Sequence, residues 1–292
     1  MPELPDIVVY QEALVSRVVG DVLAKVRVLT PFLLRTVDPP LETVEGRGVE
    51  GIERLGKRLV FALAGDVFLV LHLMIAGRLH WKDQGTSPPK KVGLAAFDFT
   101  RGTLTLTEAG SKRRASLHVA GSREALRALD PGGIDVLSAP PSEFAAVLRS
   151  ANHTLKRSLT DPRLFSGIGN AYSDEILHAA RLSPLQLTQN LDDQEVTRLH
   201  EATRRVLAEW IERLRGGYGE GFPEKVTAFR EDMAVHGRFG KPCPVCGSPV
   251  QRIVYAENEA NYCARCQTAG RLLADRALSR LLREDWPKRV EE

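Results

Sequence analysis

The sequence predicts an α+β protein of more than one domain: a leading helix with a β-sandwich, a helical domain, and a small metal-binding finger. Helical periodicity occurs near the N-terminus and again after residue 140, with short β-branched runs between them. All four cysteines form two Cys-x-x-Cys pairs near the C-terminus. At 292 residues the chain is long enough for two domains and a sizeable core.

Residues 4–20 predict one amphipathic helix. Its apolar residues recur at intervals of three and four: Ile7, Tyr10, Leu14 and Val18. Gly20 provides a stop, and Pro5 suits the first turn, where a missing N–H is tolerated. A helix that starts here would hold the N-terminus in a fixed geometry.

From Val22 to about Val119 the pattern changes to short apolar runs between turn signals, which predicts a β-sandwich. The runs are Val26–Leu29, Gly51–Leu55, Arg58–Leu63, Val67–Leu73, Leu94–Phe99, Thr103–Thr107 and Leu117–Val119. Gly65-Asp66 and Arg101-Gly102 fit hairpin turns. Since strands and helices do not alternate and no glycine-rich nucleotide loop occurs, a nucleotide-binding α/β fold is excluded.

The next stretch, residues 122–135, has the composition of a linker. Helical periodicity then returns in four segments: Pro141–Ser150, His153–Leu159, Asn170–Ala180 and Asp192–Leu214. Near the C-terminus, the segment Arg271–Leu282 places its leucines on one helical stripe. We expect that tail helix to pack on the body of the protein rather than to bind a partner.

The cysteines predict a structural zinc site. Cys243, Cys246, Cys263 and Cys266 follow the pattern C-x2-C-x16-C-x2-C, which supplies four thiolates for tetrahedral coordination. Disulfide bonds are the alternative, but they are rare in cytoplasmic proteins. We expect one zinc ion per chain that stabilises the fold of a ribbon too short to form a core of its own.

Charge and hydropathy restrict the partners and the compartment. The net charge of +3 and the pI near 8.7 are compatible with a polyanionic partner without proving one. No apolar run approaches the roughly 20 residues of a membrane span, and the N-terminus lacks the basic start of a signal peptide. The sequence therefore predicts a cytoplasmic protein without a membrane segment.

The N-terminus offers an unusual nucleophile. If Met1 is removed, Pro2 becomes the first residue and carries a free secondary amine beside Glu3. An α-amino group has a pKa of about 7.7–8.0, so part of it is unprotonated near neutral pH. Such an amine can attack a sugar carbon and form a Schiff base, while Glu3 moves protons. The alternative is that Pro2 only stiffens the start of the helix.

The opening Met-Pro-Glu-Leu-Pro-Asp resembles the start of the formamidopyrimidine-DNA glycosylase and endonuclease VIII family, which usually has Glu where Asp6 stands. The resemblance continues through Lys57, Lys156, residues 167–175 and the finger, and ends at Gln267. It implies a helix–two-turn–helix domain before a zinc-ribbon finger. We therefore expect four parts: an N-terminal catalytic β-sandwich domain over residues 1–130, a helix–two-turn–helix DNA-binding domain over 131–225, a zinc finger over 226–267, and a helical tail over 268–292.

The resemblance also implies a function. It predicts a monomeric DNA repair enzyme that removes damaged bases and cleaves the abasic strand, with Pro2, Glu3 and Lys57 as catalytic residues. It further implies that Lys156 and Asn170 contact the DNA backbone around the damaged nucleotide. Without the family resemblance, the sequence alone would indicate that Lys57 is a solvated surface lysine. It would indicate that Asn170 is an ordinary helix cap, which could also receive a phosphate.

Three family features are altered in this sequence. Asn258, between Glu257 and Glu259, stands where the finger usually carries a phosphate-binding arginine. The family methionine that fills the gap left by an extruded base aligns with Ile75. The family's Arg-Phe wedge is matched by the stretch Lys112, Arg113, Arg114 and Ala115. Arg113 and Arg114 suit phosphate contact or base stacking, with a solvated loop as the alternative.

These departures concern how a base is extruded and held. In addition, the segment Gly219–Val235 is shorter than the family loop that covers oxidised purines. Because unstacking costs least in single strands and mismatches, we expect oxidised pyrimidines, bubbles or single strands to be preferred over 8-oxoguanine paired with cytosine. The alternative function is a lesion- or structure-binding DNA protein with weak or no base excision. Retention of Pro2 together with Glu3 favours the enzyme.

Overall fold

The computed structural model describes residues 1–110, 112–219, 221–224, 226, 230–255, 258–274 and 288–290. The chain forms two compact units, of which the first comprises Met1–Pro131 with Trp210–Ala228 and the second Gly132–Glu209 with Phe229–Glu292. A leading helix and an antiparallel β-sandwich are followed along the chain by helices and a four-cysteine finger. The predicted fold class is confirmed.

The leading helix α1 spans Leu4–Val18 and begins with a capping box. The backbone N–H of Glu3 donates to Asp6 Oδ2 at 2.9 Å, and the Glu3 side chain contacts the backbone of Asp6 in return. Asp6 thus fulfils the capping role at a position where the family that the sequence resembles usually has Glu. Both carboxylates are buried, with Glu3 2 % and Asp6 0 % exposed, so the cap fixes the start of the chain.

Eight antiparallel strands follow in the described part of the first unit. They are β1 (Val22–Val28), β2 (Arg47–Leu55), β3 (Arg58–Leu63), β4 (Val67–His72), β5 (Gly77–Lys82), β6 (Gly93–Phe99), β7 (Gly102–Glu108) and β8 (Ser116–Ala120). The strand order is β5-β7-β6-β1-β2-β3-β4-β8. Strand β2 pairs with β1 at its start and with β3 along the rest, so it joins the two layers of the sandwich.

Aromatic side chains fill the space between the layers. Phe61 of β3 packs against Phe97 and Phe99 of β6, with ring centroids 6.3 and 6.4 Å apart. Tyr10 of α1 is fully buried in the same core, and its hydroxyl accepts the backbone N–H of Leu79 at 3.3 Å. The helix and the sandwich therefore share one core, which holds the N-terminal residues against the strands.

Two elements of the first unit differ from the sequence prediction. Strand β5 was not predicted, because its sequence Gly-Arg-Leu-His-Trp-Lys lacks β-branched residues. The strand forms by pairing with β7 over its whole length. A short helix, α2 (Arg123–Arg127), lies in the segment predicted as a linker. Its cap is Ser122, whose Oγ accepts the backbone N–H of Ala125 at 3.1 Å, and Leu126 packs on Phe68 and Val70.

The four helical segments predicted after residue 140 are present. They are α3 (Pro141–Arg149), α4 (Leu155–Thr160), α5 (Asn170–Ala180) and α6 (Asp193–Tyr218). The finger consists of strands β9 (Gln251–Tyr255) and β10 (Asn258–Tyr262) and the short helix α7 (Ala264–Thr268). Leu273 packs under the finger with Ile253 and Tyr262, but most of the predicted tail helix lies in residues 275–287, outside the described part of the chain.

None of the helices in the described ranges combines the length and the apolar character that a membrane span requires.

Candidate functional site

The N-terminal residues form a buried cluster at the head of α1. Pro2 is buried, Met1 is half-buried, and Glu3 is held by the capping box. Burial is the main cause that lowers the pKa of the Met1 amino group below its ordinary value of 8.0. The positive charges of Arg78 and Lys57 lower it further, whereas Glu3 and Asp6 raise it. The fold thus brings Pro2, Glu3 and Lys57 together, and adds Arg78 from the unpredicted strand β5.

Lys57 occupies a tight turn between β2 and β3. Leu55 pairs with Arg58, so the turn consists of Gly56 and Lys57 alone. Gly56 adopts a φ of +61°, in the left-handed region that favours glycine. The turn presents the lysine beyond the ends of both strands, within electrostatic range of the N-terminal amine.

A basic cluster next to Lys57 was missed by the sequence analysis. Arg58 pairs with His72, and Val70, two residues before His72, pairs with His118, so all three basic side chains lie on one face of the sheet. His72 Nε2 and His118 Nδ1 are buried without a hydrogen-bond partner among the described residues. Only strand register brings these residues together, so no local sequence signal could have identified the cluster.

Burial and neighbouring positive charges lower the pKa values of both histidines in this cluster. Burial lowers the pKa of His72 to about 4, and Arg58, Lys57 and His118 contribute in the same direction. Burial, followed by Arg58 and Arg35, also lowers the pKa of His118. Both rings are therefore neutral at pH 7, and a phosphate would relieve the repulsion among their cationic neighbours.

The loop between β7 and β8 carries the predicted basic residues Arg113 and Arg114. Glu108, which is 1 % exposed, accepts the backbone N–H groups of Arg114 and Ala115 at 2.9 and 3.0 Å. Arg113 Nη2 donates to the carbonyl of Lys91 at 2.5 Å. These contacts position the loop from its base, while the side chains of both arginines lie at the surface.

Ile75 lies at the tip of the turn between β4 and β5. The backbone N–H of Gly77 donates to the carbonyl of Leu73 at 2.9 Å, and Met74 adopts a φ of +51°. A Cβ at Gly77 would lie 2.3 Å from that carbonyl oxygen, so the turn requires glycine. Ile75 is 53 % exposed, which makes it an apolar projection suited to contact with an unstacked base.

In the second unit, Lys156 is held by helix α5. Its Nζ donates to the carbonyl oxygen of Asn170 at 2.6 Å and to Asp174 Oδ1 at 2.5 Å. The Lys156 side chain is only 12 % exposed and Asp174 is fully buried, so the pair is shielded from solvent. The other oxygen of Asp174, Oδ2, lies 2.8 Å from His236 Nδ1. Lys156 and Asn170 are thus brought together at the start of α5.

Asn170 begins α5 directly after Gly169, and its side chain reaches the finger. Its Nδ2 donates to the carbonyl of Glu259 at 2.9 Å. Five residues further along, the buried carboxylate of Glu175 accepts the backbone N–H groups of residues 234, 235 and 236 at 2.7, 2.9 and 3.0 Å. Burial raises the pKa of Glu175 even though these three donors oppose the shift. Glu175 therefore supports the architecture of the site.

The four cysteines form a site that fits a structural metal ion. The Sγ atoms of Cys243, Cys246, Cys263 and Cys266 all lie within 4.8 Å of one another. The Cys246–Cys263 and Cys243–Cys266 sulfur distances are 3.4 and 3.9 Å. A tetrahedral zinc–thiolate site with bonds of about 2.3 Å has sulfur separations of about 3.8 Å. The side chains present thus match zinc in chemistry and in spacing, and the predicted structural zinc is confirmed.

At the finger tip, Arg252 is already engaged. Its guanidinium lies 4.3 Å from the ring centroid of Phe239, and its Nη1 lies 3.6 Å from Glu259 Oε2. Glu259, one of the two acidic residues that flank Asn258, is therefore paired with a cation. Glu257 lies outside the described residues, and Asn258 contributes its backbone to β10.

Three family models match successive parts of the chain. The formamidopyrimidine-DNA glycosylase N-terminal domain matches residues 1–117, and the H2TH (helix–two-turn–helix) domain of the same enzyme matches residues 135–220. A zinc finger found in this glycosylase and in isoleucyl-tRNA synthetase matches residues 240–269. Together the three models include the two elements that carry Pro2 and Asn170, and all four cysteines.

Relatives are similar along most of their length. A formamidopyrimidine-DNA glycosylase of Symbiobacterium thermophilum is 33% identical over 91% of this chain and 89% of its own. The crystal structure of the MutM (Fpg) protein of Thermus thermophilus is 33% identical, covers 91% of this chain and 98% of its own, and has a TM-score of 0.77. A Lactococcus lactis Fpg in complex with DNA containing an oxidised pyrimidine is 25% identical over 91% of this chain and 100% of its own, with a TM-score of 0.80.

The fold and the four-thiolate finger define a zinc-finger protein of the class that repairs DNA by removing damaged bases. The chain belongs to the formamidopyrimidine-DNA glycosylase family. The resemblance seen in the sequence is confirmed.

The His72 pKa predicts a pH-dependent contribution to stability. Because the folded pKa is about 4 and the ordinary value is 6.5, the unfolded chain binds more protons between these values. Stability that is complete above pH 6.5 is lost as the pH falls towards 4, by on the order of 3 kcal/mol. Denaturant unfolding at pH 7, 5.5 and 4 should therefore show a larger loss for the parent than for His72→Gln, which does not titrate. Equal losses in both proteins would contradict this assignment.

Proposed function

We propose that the protein is a bifunctional DNA glycosylase and abasic-site lyase in which Pro2, after removal of Met1, is the nucleophile. The observation that carries the proposal is the burial of Pro2 and Glu3 at the head of α1, with Lys57 within electrostatic range, in surroundings that lower an amine pKa. One chain carries both the amine and the DNA-contacting groups, so we propose that it acts as a monomer on damaged DNA.

The chemistry follows from the amine. The Pro2 nitrogen would form a bond to C1′ of the damaged nucleotide while the bond between C1′ and the base breaks. Opening of the sugar ring then gives a Schiff base, in which nitrogen withdraws electrons from the sugar. Loss of a proton from C2′ expels the 3′ phosphate and cleaves the strand. Glu3, fixed beside the amine, is the group that would move the protons.

An unprotonated amine is needed for the first step. In the described structure the N-terminal amine has a lowered pKa because burial disfavours its charged form and because Lys57 and Arg78 add positive charge. Pro2 is itself buried, so the same desolvation would act on its amine when it becomes the first residue. Glu3 opposes the shift, but its carboxylate is also positioned to accept a proton.

DNA would be bound by basic groups of both units. In the first unit we assign phosphate contacts to Lys57 and His72, and contacts with phosphate or bases to Arg113 and Arg114, with Ile75 filling the gap in the stack. In the second unit we assign them to Lys156 and Asn170. An ammonium group has three N–H donors, and two of those of Lys156 are directed at acceptors in the described structure, so the third can meet a phosphate oxygen.

The parts of the chain then have distinct roles. We propose that the sandwich over residues 1–130 performs the sugar chemistry and that the helices over 131–225 and the finger over 226–267 hold the DNA. The zinc ion, when bound by the four thiolates, supplies structural stability and no chemical step. We propose no role in DNA binding or catalysis for the tail over 268–292.

A second function is favoured by one feature of the finger. Asn258 stands where the family's finger usually carries a cation, and the nearby Arg252 is already paired with Glu259, which weakens phosphate binding there. A protein that binds lesions or unusual DNA structures without excising a base would tolerate this change. The burial and capping of Glu3 beside Pro2 have no evident purpose in such a binding protein, so we rank the enzyme first.

Covalent trapping tests the nucleophile. Borohydride added to the protein and abasic-site DNA should yield a stable adduct whose linkage maps to Pro2 by peptide mass analysis. A variant with an extra residue before Pro2 has no secondary amine there and should not be trapped. A matched control, Lys25→Gln on the exposed part of β1, should be trapped like the parent. Trapping that survives the extension would remove Pro2 from the mechanism.

Salt dependence of binding tests the DNA contacts. Lys57→Gln, Arg113→Gln and Lys156→Gln should each reduce the log–log slope of affinity against salt by about one unit or less, since each removes one phosphate contact. Binding to abasic-site duplex can be followed by fluorescence anisotropy between low and moderate salt. Lys25→Gln serves again as control. If all four variants have the parental slope, the DNA-binding surface lies elsewhere.

A panel of one-lesion oligonucleotides tests the substrate. Base release and strand nicking should be scored separately on duplex, bubble and single-stranded DNA. We expect abasic-site cleavage to be the most robust activity, and oxidised pyrimidines, bubbles or single strands to be processed faster than 8-oxoguanine opposite cytosine. Preferred excision of duplex 8-oxoguanine would overturn the substrate assignment. Binding across the panel without base release or nicking would favour the DNA-binding protein.

A further inference from the structure

A histidine outside the proposed catalytic cluster lies directly against the metal site. His178, near the end of α5, is 6 % exposed, and its Nε2 lies 3.3 Å from Cys243 Sγ. Cys243 is itself 2 % exposed. Two such buried groups at this separation are within hydrogen-bond distance for a sulfur acceptor, which is larger than oxygen. The contact joins residues that are 65 positions apart in the sequence.

The chemistry of a zinc site decides the direction of this contact. A cysteine that ligates zinc is a thiolate and carries no proton, so it can only accept a hydrogen bond. A ring nitrogen that faced it without a proton would place two lone pairs against each other. We propose that His178 donates its Nε2–H to the Cys243 thiolate and is thereby a positioning residue for the zinc ion.

The donor would stabilise the metal site in two ways. An N–H bond to a zinc-bound thiolate disperses its negative charge and fixes the direction in which its sulfur points. The His178 hydrogen bond is also the last of three contacts that α5 makes with the finger and the segment leading into it. Asn170 bonds to the finger at the start of the helix, Glu175 holds residues 234–236 in the middle, and His178 reaches Cys243 near the end. Loss of zinc would therefore loosen the helix that begins with the proposed DNA-binding residue Asn170.

Zinc release from the holoprotein tests the proposal without reference to activity. His178→Phe keeps a planar ring but has no donor, whereas His178→Gln keeps an N–H at similar reach. Zinc release into excess chelator can be followed by the absorbance of the zinc–chelator complex. It should be about 10- to 100-fold faster for His178→Phe than for the parent, which is the usual effect of removing a residue that hydrogen-bonds to a metal ligand. Release from His178→Gln should remain close to that of the parent.

A second buried histidine of the same unit provides the control. His200 is 4 % exposed and its Nε2 lies 3.2 Å from the carbonyl of Ala139, away from the cysteines. His200→Phe should lower stability without faster zinc release. Parental release from His178→Phe would overturn the proposal. Equally fast release from His178→Phe and His178→Gln would also overturn it, because packing alone would then explain the effect.

The native protein gives an independent answer if a variant fails to fold. Long-range proton–nitrogen correlation spectra of the zinc-loaded, nitrogen-labelled protein identify which ring nitrogen of each histidine is protonated. We expect a proton on Nε2 of His178. In protein loaded with an NMR-active isotope of cadmium in place of zinc, that proton should also show coupling to the metal through the hydrogen bond. A ring protonated only on Nδ1 would overturn the proposal.

Discussion

The second unit depends on the buried carboxylates of two consecutive residues of α5. Glu175 accepts three backbone N–H groups from residues 234–236, and Asp174 lies between Lys156 Nζ and His236 Nδ1. A carboxylate taken out of water is stable only when its oxygens are satisfied in this way. Glu175 therefore fixes where the chain enters the finger, and Asp174 determines where the proposed phosphate-binding lysine lies.

The first unit also contains two buried carboxylates, at its N-terminus. Glu3 and Asp6 are buried, and each is satisfied by the first turn of α1 through the capping box. Tyr10 ties the helix to β5, the strand that also carries Arg78. The proposed nucleophile is thus held by local hydrogen bonds on one side and by the aromatic core on the other, which is the preorganisation that a covalent reaction at a sugar carbon requires.

Much of this architecture could be read from the sequence where the signal is local. Helical periodicity predicted α5 over Asn170–Ala180, and the cysteine spacing predicted the zinc site. Features set by strand register or by long-range contact could not be read. Strand β5 and the proximity of His72 to His118 depend on pairing partners distant in sequence, and His178 gives no sign that it reaches a sulfur atom. The exposed Ile75 was identified only through the family resemblance.

Burial of Pro2 has a consequence for how the protein is made. In the folded chain Pro2 is buried, and the backbone N–H of Glu3 next to it donates to Asp6. A processing peptidase has to reach the peptide bond between Met1 and Pro2, and the burial of Pro2 restricts access to that bond once the chain has folded. If Pro2 is the nucleophile, Met1 has to leave while the nascent chain is still open at this end. Competence for repair would then be decided during synthesis, and chains that fold before trimming would remain inactive.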